Sequence, residues 1–254
     1  MVDIHSHILS GLDDGARTLE DSVAMLRLAA DSGTTDIVAT PHANTEFTFD
    51  PDLIGLKIAE LQEAAGPLPR IHRGCDFHLT LENIQDALAD PGKYAINHLS
   101  YLLVEFSDLL IPRTTQEIFS RLLGAGLTPI VTHPERNALL HTRLDQLQSW
   151  VENGALVQVT AGSLLGRFGR AAKSVATDLM NRNLVHFIAS DAHDTRYRTP
   201  VLGDAYEYVE KTWNPSLAKL LFTTAPQAVI AGEEIMLLDP EPAPRKRKWY
   251  RLGF

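Results

Sequence analysis

Residues 3–15 read DIHSHILSGLDDG, running from Asp3 to Gly15. The start of this stretch has the make-up of a short strand. Strand side chains alternate with period two, so His5 and His7 project to one face. Two imidazoles on one face, with Asp14 able to reach in from the adjoining loop, are the beginnings of a metal site. An isolated H-x-H is usually surface or core decoration. The reading therefore depends on partners elsewhere in the chain.

Seven short β-branched or apolar runs recur, at 2–5, 36–40, 70–75, 101–106, 128–132, 155–160 and 185–189. Helical patterns separate them. The clearest is TLEDSVAMLRLAADSG, with Thr18 as N-cap, Asp21 in the capping-box position, and Leu19, Val23, Leu26 and Ala30 on one stripe. In TTQEIFSRLLGAG, Thr114 and Glu117 repeat the box and glycines close the helix. Strict alternation implies an α/β fold with parallel pairing and right-handed crossovers, and near-continuous apolar strands predict a seven-stranded TIM-like barrel. The alternative is an open doubly wound sheet, but His-Ser-His stands where its glycine-rich first turn would be.

The residues at the ends of these runs are His5 and His7, His42, Asp76, Glu105, His133, and Asp191 with His193. All are metal-ligand types. The C-terminal ends of barrel strands converge on one mouth, so these side chains are expected to meet there. Of the remaining histidines, His72, His98, His141 and His186 read as ordinary surface or packed residues, while His78 stays open because it lies two residues past Asp76.

The ligand set is imidazole and carboxylate, which suits Mn, Fe or Zn. It exceeds the needs of one ion. Clustered ions generate a nucleophile from water near neutral pH and offset charge on a transferring phosphoryl group, so phosphoester hydrolysis is the chemistry favoured. Arg136 in THPER, and Arg196 and Arg198 in SDAHDTRYRTP, are candidate phosphate clamps. The cysteine-dependent route is excluded, since the arginine of a C-x5-R loop would fall at Leu81; Cys75, the single cysteine, reads as a small buried hydrophobe.

The chain has 254 residues, with 23 Lys+Arg against 32 Asp+Glu and a net charge of −9, which disfavours nucleic acid as a partner. No signal peptide or long apolar run appears, so a soluble cytoplasmic protein is expected. Residues 1–239 are expected to form a single phosphatase domain, and 240–254, PEPAPRKRKWYRLGF, a basic flexible tail. A secondary expectation for that tail is peripheral docking on an anionic membrane face. In the loop ANTEFTFDPD, Phe47 and Phe49 are expected to pack in the core, with a flanking role beside a substrate ring as the alternative.

DIHSH, TPH at 40–42, GCD at 74–76, THPER at 132–136 and SDAH at 190–193 together resemble the PHP (polymerase and histidinol phosphatase) superfamily. With VEF at 104–106, the chain is most similar to the bacterial manganese-dependent tyrosine phosphatases of capsule and exopolysaccharide operons, the CpsB/CapC/YwqE type, over residues 1–232. The resemblance implies a distorted (β/α)7 TIM-like barrel and three divalent ions, manganese first with iron or zinc as alternatives. It also implies dephosphorylation of the phosphotyrosine tail of a bacterial tyrosine kinase. Carried onto this chain, it puts His5, His7 and Asp191 on one ion, with Asp76 bridging to a second held by Glu105 and His133. Asp14, His42 and His193 would hold the third, and Arg136 and Arg198 would bind phosphate. The family usually has glutamate at the position of Asp76, so a bridging role here requires the backbone to come closer. Two other functions stay open: a small-molecule phosphatase acting on a compound such as histidinol phosphate, and a regulatory module that binds metal or phosphopeptide without turnover.

Overall fold

The computed structural model describes residues 1–67 and 69–240. Each of the seven expected runs contains a strand, and two further short strands, at His42–Ala43 and Asp76–His78, lie beyond the runs. The strands are β1 (Val2–Ser6), β2 (Asp36–Ala39), β3 (His42–Ala43), β4 (Arg70–Arg73), β5 (Asp76–His78), β6 (Tyr101–Glu105), β7 (Thr128–Thr132), β8 (Leu156–Thr160) and β9 (Phe187–Ala189). They form two sheets in which every pairing is parallel, ordered β1-β2-β4 and β3-β5-β6-β7-β8-β9. A seven-stranded TIM-like barrel was expected; instead nine strands fall in two sheets, with breaks at Pro41 and Gly74 separating β2 from β3 and β4 from β5. Pro41 has no N–H for a ladder. Gly74 passes so close to β2 that a Cβ there would stand 2.7 Å from Val38 Cγ1. Backbone bonds still span the breaks, from Gly74 N to the Ala39 carbonyl (2.8 Å) and from Asp76 N to the Pro41 carbonyl (3.1 Å). The first strand meets the segment after the last through a parallel bridge, Ser6 with Ala192, flanked by His7 N to Ala192 O (2.8 Å) and Asp191 N to His5 O (2.9 Å).

The longer helices follow the strands as crossovers: α1 (Leu19–Asp31), α2 (Pro51–Ala65), α3 (Leu81–Ala89), α4 (Thr115–Gly124), α5 (Leu144–Glu152), the short α6 (Ala161–Leu164), α7 (Gly169–Asn181) and α8 (Gly203–Thr212). Helix α1 starts as its sequence predicts. Thr18 accepts from Asp21 N at 3.2 Å and Asp21 accepts from Thr18 N at 3.3 Å, satisfying two of the otherwise orphaned first-turn donors. The same box at α4 does not form. Thr114 makes no side-chain cap, and the Thr115 hydroxyl instead donates to the Pro112 carbonyl (2.7 Å), so a local turn sets the start of the helix.

The buried helix faces pack on the sheet. Phe119 of α4 and Trp150 of α5 meet Phe106, directly after β6, with Phe106 and Trp150 stacked at 5.2 Å. This aromatic contact holds the end of the strand that carries Glu105. Cys75 is fully buried, as its sequence context suggests. Among the described residues no helix is long and apolar enough to cross a membrane. The basic stretch with its membrane-docking expectation, residues 241–254, lies outside the described residues.

His186 is buried, and its Nδ1 accepts from Val157 N at 3.1 Å. Burial lowers its pKa from 6.5 to about 4, slightly opposed by the Leu184 backbone. The folded pKa is depressed, so the unfolded chain takes up a proton first as pH falls. Stability is intact above pH 6.5 and is lost progressively toward pH 4. In chelator-treated protein, this histidine should contribute up to about 3 kcal/mol of the stability lost on acidification. His186→Asn, which keeps an acceptor for Val157, should flatten that part of the denaturant-measured pH profile; equal slopes in both proteins would contradict the assignment.

Candidate metal centre

The strand ends bring all nine predicted ligands into five overlapping groups, each small enough for one ion: His7, Asp14, His42 and His193; His5, His7 and Asp76; His5, His133 and Asp191; Asp76, Glu105 and His133; and His42, His78 and Glu105. His5 Nε2 lies 3.3 Å from His7 Nε2, and both lie 3.5 Å from Asp191 Oδ1. His5 Nε2 and His42 Nδ1 converge on Asp76 Oδ2 at 3.4 and 3.3 Å. Asp14 Oδ1 stands 3.4 Å from His42 Nε2 and 3.3 Å from His193 Nε2. The shorter side chain of Asp76 therefore still reaches partners on both sides. Asp76 opens β5, where it is paired in register with His42.

Backbone turns aim two of these groups. His133 and Asp191, each just beyond a strand, adopt positive φ of 32° and 51°. Such conformations in residues other than glycine concentrate at functional sites, where surrounding structure enforces them. Gly15 is required for a different reason: a Cβ there would stand 2.5 Å from the Cβ of His7. This contact folds the DDG turn back over His7, and Asp13 completes it. Asp13 Oδ2 accepts from His7 Nδ1 (2.7 Å) and His42 N (3.2 Å), while its Oδ1 accepts from Gly15 N (3.0 Å).

Sequence reasoning missed Asp13 because adjacent aspartates cannot be ranked by spacing. It also missed Gln158, whose Oε1 accepts from His5 Nδ1 at 2.9 Å. The available signal was a lone amide in the apolar strand LVQVT. By occupying the Nδ1 atoms, Asp13 and Gln158 leave the Nε2 lone pairs of His7 and His5 facing the cluster. His78, left open by the sequence, joins the cluster through its contact with Glu105. The D-x-H spacing shared with Asp191 and His193 was its signal. The other four histidines fall elsewhere, for example His72 on Asp36 and His141 on the Glu135 carbonyl.

The arginines stand at the rim. Arg136 Nη1 contacts Asp191 Oδ2, and Arg198 Nη2 donates to the same oxygen at 2.6 Å. Arg136 also lies over the Phe168 ring at 4.5 Å. Arg196 is exposed and does not join them. Glu135, between His133 and Arg136, is fully buried and accepts from Thr160 N at 2.9 Å, which ties the THPER turn to β8. Phe49 packs in the core against Tyr94, whereas Phe47 is half-buried beside the His42 ring at 6.0 Å.

Burial governs the titration of the centre. It lowers His133 to about 3 and His193 to about 4, the latter lowered further by the charge on His7, so both are neutral donors at pH 7. Burial acts the same way on His7 and His42, but Asp13 outweighs it at His7, raising it to about 9, and Asp14 and Asp76 outweigh it at His42, raising it to about 11. Asp76 and Asp191 are driven upward by burial, yet the imidazoles around them hold both well below the usual carboxylate range.

Several buried polar atoms make no hydrogen bond among the described residues: both oxygens of Asp76, His42 Nδ1 and His193 Nε2. Leaving such groups unpaired is costly. All of them face the same cluster, and they are the hard-to-borderline donors of divalent cations. The residues therefore fit metal ions.

The chain matches the family model described as "Capsular polysaccharide synthesis, CpsB/CapC" over residues 1–231. It belongs to the CpsB/CapC family. The tyrosine-protein phosphatase YwqE of Bacillus subtilis (strain 168) is 33% identical over 257 residues, covering 97% of this chain and 98% of its own. The tyrosine-protein phosphatase CpsB of Streptococcus pneumoniae is 29% identical, covering 92% of this chain and 100% of its own. A solved structure from the work on YwqE and CpsB, described there as unique metal-dependent tyrosine phosphatases, aligns with TM-score 0.90 at 33% identity, over 96% of this chain and 100% of the other.

Gly15→Ala should force His7 and the DDG turn apart. The expected losses are about 1–3 kcal/mol of stability and about 10-fold or more in metal affinity. Chelator competition and denaturant unfolding would check both, and unchanged values would remove the role assigned to this contact. Metal uptake near pH 7 should also release protons, because His7 and His42 must lose theirs to bind an ion; affinity should fall as pH falls below about 11 and more steeply below about 9. Calorimetry in buffers of different ionisation enthalpy would measure the release, and a net release of zero would contradict it.

Proposed function

We propose that the protein is a metal-dependent phosphotyrosine phosphatase that acts on the tail of a bacterial tyrosine kinase and thereby regulates capsule or exopolysaccharide synthesis. The observation that carries this reading is the convergence of Arg136 and Arg198 on Asp191 Oδ2, at the edge of a cluster whose other side is lined by imidazole. Membership of the CpsB/CapC family supports it.

His5, His7, Asp191 and Asp76 would hold one ion, Asp76, Glu105 and His133 a second, and Asp14, His42 and His193 a third, with manganese preferred and iron or zinc as alternatives. His78 is close enough to His42 and Glu105 to assist. When bound, such ions supply Lewis acidity and a nucleophile derived from water. Asp13 and Gln158 hold the two imidazoles in one tautomer. Arg136 and Arg198 supply forked donors that match two phosphoryl oxygens, and the Phe168 ring supports Arg136 from below. Phe47, beside His42, is placed to flank an incoming phenol ring. A phenolate leaves with a pKa near 10, so the site needs no strongly acidic partner for it.

In the same reading the two sheets act as one distorted seven-stave barrel, closed by the bridge from Ser6 to Ala192, and residues 1–239 act as a single domain. The working compartment is the cytoplasm, where a kinase tail receives phosphate from ATP.

The test is a metal-reconstituted assay comparing a phosphotyrosine peptide, a phosphoserine peptide and histidinol phosphate. Turnover is expected to be strongest on phosphotyrosine. Arg136→Ala and Arg198→Ala should each lower kcat/KM by about 10²–10³ with metal content retained, the range for removing a preorganised donor at developing charge. Bound metal without turnover of any of the three substrates would overturn the reading. Preference for histidinol phosphate would redirect it to metabolites.

A further inference from the structure

Beside the metal centre lies a cleft of about 510 Å³, lined by Arg167, Phe168, Arg196, Tyr197, Arg198 and Thr199. Three arginines and two aromatic rings line it, and no carboxylate does. The chain as a whole carries a net charge of −9, so this lining is locally opposite in sign. The volume falls within the range of pockets that hold small organic groups.

The walls are preorganised. Asp194 Oδ1 accepts from Arg196 N (2.5 Å) and Tyr197 N (2.6 Å), and its Oδ2 accepts from Arg198 N (3.3 Å), which fixes the loop that presents these side chains. Phe168 is held between the Arg136 guanidinium and Gly162, where a Cβ would stand 2.9 Å from its ring. Tyr197, by contrast, is 83% exposed and offers a free ring face.

The cationic groups are available. Arg196 has no ionic partner among the described residues, and Arg167 makes only exposed contacts with Asp204 (3.3 Å) and Thr199 (3.4 Å), which are weak in water. Arg198 joins the cleft to the centre: Nη2 binds Asp191, while Nε is buried with no hydrogen-bond partner. Guanidinium forks match phosphate, and aromatic faces match a phenyl ring, so the chemistry recognised is an aromatic phosphomonoester.

We propose that this cleft is a second phosphotyrosyl subsite, which holds one phosphotyrosine of a multiply phosphorylated chain while another lies at the metal centre. The proposal rests on the phosphotyrosine reading above. Arg167 and Arg196 grip the phosphate, Tyr197 stacks on the ring, and Thr199 supplies a hydroxyl donor.

The test uses metal-loaded protein and peptides carrying non-hydrolysable phosphonodifluoromethyl-phenylalanine at one position, or at two positions over a range of spacings. At the best spacing the doubly substituted peptide should bind about 10-fold tighter or more than the singly substituted one, the gain from one additional charge-assisted contact. Arg167→Ala combined with Tyr197→Ala should erase this gain and leave the affinity for the singly substituted peptide unchanged. The proposal is overturned if no spacing gives a gain or if the gain survives in the double variant. It is also overturned if glutamate or phenylalanine at the second position binds as tightly as the phosphonate, since the cleft would then read a carboxylate or a bare ring. A parallel hydrolysis assay on a singly phosphorylated tyrosine peptide separates the two claims: failure there removes the phosphatase reading, whereas the binding ratio alone decides the subsite.

Discussion

Buried carboxylates and imidazoles must share one small volume at the ends of parallel strands, and the rest of the molecule is arranged around that constraint. Asp76, Asp191, His5, His7, His133 and His193 are all nearly inaccessible to water. Charges removed from water are tolerated only when paired or bound to metal. The imidazoles offset part of the charge, but both Asp76 oxygens remain without a hydrogen bond. The cluster is therefore shaped for cations.

Asp191 couples this cluster to the surface. One oxygen faces His5 and His7, and the other meets Arg136 and Arg198. The imidazole cluster and the two arginines thus share a carboxylate. Glu135 ties the THPER turn to β8, Gln158 of the same strand orients His5, and Asp194 fixes the loop carrying Arg198. Strand β8 contributes no ligand to the proposed set, yet Gln158 orients His5 on β1 and Thr160 N anchors Glu135 beside His133.

Much of this was legible in the chain. Short β-branched and apolar runs located seven of the nine strands, and ligand types just past the runs located the centre, because parallel α/β architecture forces those ends to one side. The breaks between strands were not legible. Pro41 and Gly74 are visible as residues, but whether they break a ladder depends on Val38 and the neighbouring backbone. The capping box at Thr114 failed for a similar reason: a local turn at Pro112 outcompeted it.

By itself, the order of residues determined the α/β alternation, the identity of the nine candidate ligands and the exclusion of a cysteine nucleophile, since these follow from local periodicity and side-chain chemistry. Only the tertiary structure decided that Asp13 rather than Asp14 orients His7, that His78 joins the cluster, and that Arg196 stays exposed while Arg198 reaches Asp191. Neighbouring residues on one loop are equivalent to any spacing rule. Their roles diverge only when the backbone turns, at Gly15 and at Asp194, set which side chain points inward.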